Sequence, residues 1–123
     1  MEWYAVVVAD IDGVVRQWTA AAEELFGYPA ETVVGRTLDM IIPEDHREAH
    51  WAAFRALMSS ATAGDPADRG AVILPVRRQD GSSQPAAVRL MLLRDAWNRP
   101  VGAAAVFASP GAAPDGAQAL PEL

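Results

Sequence analysis

Apolar and β-branched side chains follow one another without alternation from Trp3 to Ala9, a pattern typical of a strand buried on both faces. Asp10 to Gly13 then favours a turn, because aspartate bonds to nearby backbone N–H groups and glycine accepts a positive φ. A second apolar segment, Val14 to Trp18, supplies the other strand of a predicted hairpin. The N-terminal part of the sequence therefore predicts two antiparallel strands.

The middle of the sequence carries the start and stop signals of helices. Thr19 is a suitable N-cap for a short helix from Ala20 to Phe26, which we expect to end at Gly27. A second short helix is predicted up to Val34. Proline lacks a backbone N–H and suits the first turn of a helix, so a longer helix is predicted from Pro43 to about Ser59.

Three further strands are predicted in the second half, and an Asp-Gly pair at Asp80 and Gly81 marks a tight hairpin between the first two. Pro75, Pro85 and Pro100 predict edge positions or irregular pairing, since proline cannot donate a ladder hydrogen bond. The strands run from Ala71 to Arg78, from Gln84 to Leu93 and from Pro100 to Ala108. This order of elements predicts an α+β fold, a five-stranded antiparallel sheet with the helices packed on one face.

The length of 123 residues predicts one domain. Residues 1–108 form this predicted domain. Residues 109–123 are rich in proline, glycine and alanine and contain little to bury, so they predict a flexible tail or linker.

The charge balance and the residue types that are missing exclude several functions. Ten Lys and Arg stand against sixteen Asp and Glu, a net charge of −6 that argues against a nucleic-acid partner. The sequence contains no cysteine, which excludes disulfides and thiol chemistry. The N-terminal apolar segment ends at Asp10, too early for a membrane span, and no positively charged signal segment precedes it. We therefore expect a cytoplasmic protein without a membrane partner.

The long predicted helix carries both histidines of the chain, His46 and His50. At 3.6 residues per turn the two share one stripe of the helix surface. The predicted stripe comprises His46, His50, Ala53, Phe54 and Leu57, with Trp51 and Met58 at its edge. His50 is thus expected to face inward, where burial favours the neutral imidazole that ligates metals.

The spacing of residues on the same helix argues against a catalytic metal site. Zinc hydrolases place a glutamate directly after the first histidine or directly before the second, and those positions hold Arg47 and Ala49. The sequence shows neither a phosphate-binding glycine loop nor a serine with an identifiable base. We therefore expect no enzyme, and a surface metal site at His46 and His50 stays open as an alternative.

Several separated motifs stand between about Val6 and Ala108. The motifs are Asp12-Gly13-Val14-Val15 with Trp18, Ala21-Ala22-Glu23 with Leu25-Phe26-Gly27-Tyr28, Glu31 before Gly35, Ile42-Pro43-Glu44-Asp45, and Arg78-Gln79-Asp80-Gly81-Ser82. Together they resemble a PAS sensor domain. The resemblance implies a sensory module of bacterial-type signal transduction with a ligand cavity between sheet and helices. Family members use this cavity for heme, flavin, other chromophores or small metabolites. Photoreceptor members that bond their chromophore to a cysteine are excluded here, because the chain has none.

The segment from Asp39 to His50 is similar to the oxygen-sensing heme-PAS subgroup, whose proximal histidine lies on the matching helix. This resemblance implies heme as the cofactor, with His50 as the axial ligand of the iron. The implied cofactor-binding residues are His50, Phe54, Leu57, Val72, Ile73 and Leu74. Val72 stands where those sensors often carry an arginine that bonds the gas, so the resemblance implies an apolar pocket that favours carbon monoxide.

Two interpretations without heme stay open. In the first, His50 is only hydrogen-bonded at the interface of helix and sheet. In the second, the chain is a ligand-free PAS module for protein interaction or dimerisation. The resemblance also implies a homodimer, paired through the outer face of the sheet, or a partner signalling protein. The candidates for an exposed aromatic contact are Trp3, Tyr4, Trp51 and Trp97.

Overall fold

The computed structural model describes residues 4–59 and 70–108, together with the backbone of Gln118–Ala119. The strands are β1 Tyr4–Asp10, β2 Val15–Trp18, β3 Val72–Arg77, β4 Ser83–Arg94, β5 Pro100–Ala108 and β6 Gln118–Ala119. The α-helices are α1 Ala20–Phe26, α2 Ala30–Val33 and α3 Arg47–Ser59, and 3₁₀-helices span Leu38–Ile41 and Glu44–His46. The predicted strand start at Trp3 lies outside the described residues, as does the predicted tail apart from β6.

The sheet has the strand order β2-β1-β5-β4-β3-β6, and β1 to β5 pair antiparallel with their neighbours. The helices pack on one face of these five strands, which confirms the predicted α+β architecture. The structure adds the two-residue strand β6, which pairs parallel with β3 through Val72 and Ile73. This sixth strand was not predicted, because two residues carry no pattern that distinguishes a strand from a loop.

The first helix forms where its capping residues predict it. The Thr19 hydroxyl accepts hydrogen bonds from the N–H of Ala22, in the first turn of α1, and from the N–H of Val6 on β1. Gly27 ends the helix in the left-handed conformation, with φ of 86°. The cap therefore stabilises α1 and also ties it to the sheet.

Burial alternates along β1, so the prediction of a strand buried on both faces was wrong. Ala5, Val7 and Ala9 are buried under the helices, while Val6 and Val8 on the outer face are only half-buried. Three consecutive valines have high strand propensity whichever face is covered, so the sequence pattern did not reveal that one face lacks a covering layer in the described part of the chain.

Two prolines occupy the positions that their chemistry requires. Pro75 of β3 and Pro85 of β4 lie opposite each other. The pairing of β6 with β3 ends at Ile73, and the pairing of β5 with β4 begins at Val88, so neither proline faces a paired strand on its other side. The predicted edge positions are confirmed for this pair.

The long helix differs from its prediction at its start. The turn after Pro43 is a 3₁₀-helix, and α3 proper begins at Arg47. The 3₁₀ turn changes the position of His46 relative to α3, whereas the other stripe residues all lie inside α3 and keep α-helical spacing. The predicted stripe was wrong in detail, because α3 packs on the sheet through a face centred on Phe54 and Met58, and Ala53 is exposed.

The main core lies between the sheet and α1, with Phe26 fully buried at its centre. Its ring contacts Trp18 at 5.0 Å and Phe107, edge-on, at 5.1 Å between centroids. A smaller cluster of Phe54, Met58 and Leu92 packs α3 against β4. His50 of α3 lies beside the smaller cluster.

Candidate functional site: a histidine beside an apolar cleft

His50 lies in an aromatic environment on α3. Its imidazole meets the Trp51 ring edge-on at 4.9 Å and lies 6.1 Å from the Phe54 ring, between centroids. The Nδ1 atom is buried and has no hydrogen-bond partner among the described residues. Leaving such a group unsatisfied costs about 1–3 kcal/mol, so an unpaired buried imidazole nitrogen needs an explanation in terms of function or an absent partner.

Burial lowers the pKa of His50, and the nearby carboxylate of Asp39 raises it only in part. The net pKa lies below the ordinary histidine value. At neutral pH the imidazole is therefore uncharged, with a lone pair available to a metal ion or a hydrogen-bond donor.

This lowered pKa predicts a specific pH dependence of stability in the ligand-free protein. The unfolded chain takes up the His50 proton near pH 6.5 and the folded chain only at lower pH, so the free energy of unfolding should fall as pH drops below about 6.5. Chemical denaturation between pH 8 and pH 5 measures this slope, and His50→Phe should reduce it. His46→Gln is the control, and an equal reduction in both variants would contradict the assignment.

Trp51 holds the site against the turn between β1 and β2. Its ring lies directly over Gly13, where an added Cβ would come within 2.2 Å of the indole. The indole Nε1 donates a hydrogen bond of 2.6 Å to Asp39. Sequence reasoning placed Trp51 at the edge of the stripe and among the exposed aromatic contacts, and it interpreted Gly13 only as a turn residue. The contact between them is a tertiary feature that neither local pattern contains.

The described helices leave part of the inner face of the sheet accessible, and we call this region the cleft. Leu74, Leu90, Ala103 and Ala105 project from β3, β4 and β5 toward the helices, yet all four remain partly exposed. Since β4 and β5 are interior strands of the sheet, this exposure marks a part of the inner face that the described helices do not fully cover. All four side chains are apolar, so the cleft suits a largely apolar ligand.

The predicted pocket residues divide into two groups and one exception. His50, Phe54 and Leu57 lie together on α3, whereas Val72 and Leu74 face the main core from β3. Ile73 pairs with Ala87 and belongs to neither cluster. Because side chains alternate along a strand, Ile73 points to the outer face, and its assignment to the pocket is corrected on that ground.

The second histidine lies in different surroundings. The ring of His46 bonds to Asp45 at 2.9 Å in an exposed position, in the 3₁₀ turn before α3. Within residues 4–59 and 70–108, no three His, Asp or Glu side chains are grouped as a metal site would need. The structure thus does not bring His46 and His50 into a shared cluster with a carboxylate.

The helices of the described segments are short. The longest, α3, has 13 residues, and none is long and apolar enough to cross a bilayer, which takes about 20 residues.

The arrangement of a five-stranded antiparallel sheet, short helices on one face and a cleft between them matches a known family. The PAS fold profile matches residues 4–108. The chain belongs to the PAS family. This fold is typical of sensory domains in signal transduction, which are generally non-catalytic.

Three known proteins illustrate what this chain is similar to. The PAS domain of a Colwellia psychrerythraea protein superposes with a TM-score of 0.70 at 19% identity, covering 85% of this chain and 83% of that one. An uncharacterised protein of Azorhizobium caulinodans is 36% identical over 83 residues, 67% of this chain. The oxygen sensor protein DosP of Escherichia coli K12 is 46% identical over 46 residues, 37% of this chain. The aligned parts span only 11% and 6% of the latter two proteins.

Proposed function

We propose that this PAS domain is a sensor that binds heme between its sheet and helices, with His50 as the axial ligand of the iron. The observation that carries the proposal is a neutral imidazole neither of whose ring nitrogens has a hydrogen-bond partner among the described residues. A histidine in this state meets the first requirement of a heme ligand, which is a free lone pair in an apolar site.

The surrounding residues are suited to an apolar planar cofactor. Phe54 and Leu57 lie on the same helix as His50, and Val72 and Leu74 face the helices from the sheet. Their role would be to pack against the cofactor and to exclude water from its faces. Heme, when bound, supplies an iron site for a diatomic gas. The partial similarity to an oxygen sensor also supports this proposal.

Titration of the purified protein with hemin tests the proposal. A histidine-ligated heme gives a sharp, saturable Soret band at one heme per chain. We expect His50→Ala to abolish this band or weaken hemin binding by at least tenfold, and we expect His46→Ala, the matched control on the neighbouring turn, to leave it unchanged. Binding that survives His50→Ala would reject the ligand assignment, and no saturable binding by the wild type would reject heme.

The outer face of the sheet supports a role in protein contact, with or without a ligand. Across β1, β5 and β4 this face presents a continuous apolar stripe that no described helix covers. The stripe comprises Val6, Val8, Met91, Leu93, Ala104 and Val106. We infer that the domain pairs with a second copy of itself through this stripe and that sensing is transmitted through such contact. The ligand-free interaction module is the alternative function that the same stripe favours.

A further inference from the structure

Arg47, the first residue of α3, lies one turn before His50 on the same side of the helix. Its side chain is half-buried, and its Nε donates a hydrogen bond of 3.2 Å to the carbonyl oxygen of Ile42. Ile42 in turn packs against the main core. This bond ties the guanidinium to the segment just before α3, one helical turn from His50.

This bond uses Nε, and neither Nη nitrogen has a hydrogen bond or ion pair among the described residues. A guanidinium with both Nη nitrogens free can bind a carboxylate through two parallel hydrogen bonds. The nearest other cation on α3, Arg55, is exposed and has no such anchor among the described contacts.

We propose that Arg47 binds a carboxylate of the ligand in the cleft, so that this site selects an apolar planar ligand with an acidic edge. His50 and Arg47 then bind different parts of the ligand. The imidazole binds at the centre of the ligand, and the guanidinium binds its charged edge. The inference rests on the proposed function, because it assigns a second residue to the same ligand.

The test compares hemin, which carries two carboxylates, with hemin dimethyl ester, which carries none. We expect Arg47→Gln to weaken hemin binding about tenfold, the size of one charge-assisted contact, and to leave binding of the dimethyl ester unchanged. Arg47→Lys should recover part of the hemin affinity. Arg55→Gln is the matched control and should alter neither affinity.

The outcomes separate this inference from the proposed function. If the wild type binds hemin through His50 and Arg47→Gln binds it equally well, the role of Arg47 is overturned and the heme site stands. An equal loss for hemin and its ester would also overturn it, since a folding defect does not distinguish the two probes. If neither probe gives a His50-dependent Soret band in the wild type, both proposals fail together.

Discussion

Replacing Gly13 by alanine is expected to destabilise the protein by about 3 kcal/mol or more, because two penalties combine at this position. Gly13 has φ of +78°, where an L-residue is strained, and the new methyl group would come within 2.2 Å of the Trp51 ring. The ring is anchored through Asp39, so it cannot move away without losing a hydrogen bond. Urea denaturation at neutral pH measures the loss.

Gly35 supplies a matched control for this experiment. Its φ is +95°, but a Cβ at this position meets nothing within 4 Å, so Gly35→Ala should show only the backbone penalty of about 1–2 kcal/mol. The double variant Gly13→Ala/Trp51→Ala lacks the ring that the new methyl group would meet. Its free energy of unfolding should therefore differ from that of Trp51→Ala alone only by the backbone penalty. Equal effects at Gly13 and Gly35 would show that the Trp51 contact contributes nothing.

Introducing a charge into the outer stripe is expected to dissociate the proposed homodimer. Val8 lies at the middle of this face, between Gln17 of β2 and Ala104 of β5. In Val8→Glu, pairing would bury two carboxylates without partners, one from each copy, so the dimer dissociation constant should rise at least tenfold. Sedimentation equilibrium over a range of protein concentrations measures the constant.

Val34→Glu is the control for the added charge. Val34 follows α2, away from the outer face, and 43% of it is exposed. This variant should dimerise like the wild type, and both variants should still unfold cooperatively, with Val8→Glu losing no more than about 1 kcal/mol of stability. A wild type that stays monomeric at high concentration, or a dimer that both variants preserve, would refute the pairing surface.

The proposed heme site and the proposed pairing surface use different residues. The proposed heme site lies on the inner face of the sheet, around His50 and Phe54, while the pairing surface uses the alternate residues of the same strands. Val8 and Val7 are neighbours in sequence but point to opposite faces. A ligand that displaces β4 or β5 on the inner face would thus also move the residues of the pairing surface on the outer face, because both sets belong to the same strands.

The sequence alone determined the elements whose signals are local. Thr19 and Gly27 delimit α1 because a side-chain cap and a left-handed glycine act within a few residues of each other. The Asp80-Gly81 hairpin likewise forms where it was predicted, with φ of +87° at the glycine. Helical periodicity also predicted the inward orientation of His50, although it did not predict the exact stripe.

Only the tertiary structure decided how the site is built. The packing of α3 on the sheet decided which of its residues are buried, and strand alternation placed Ile73 on the outer face. The unpaired Nδ1 of His50 and the packing of Trp51 on Gly13 depend on residues far apart in the chain. Such contacts depend on the packing of whole layers, so local sequence patterns, which reflect backbone conformation and average burial, do not contain them.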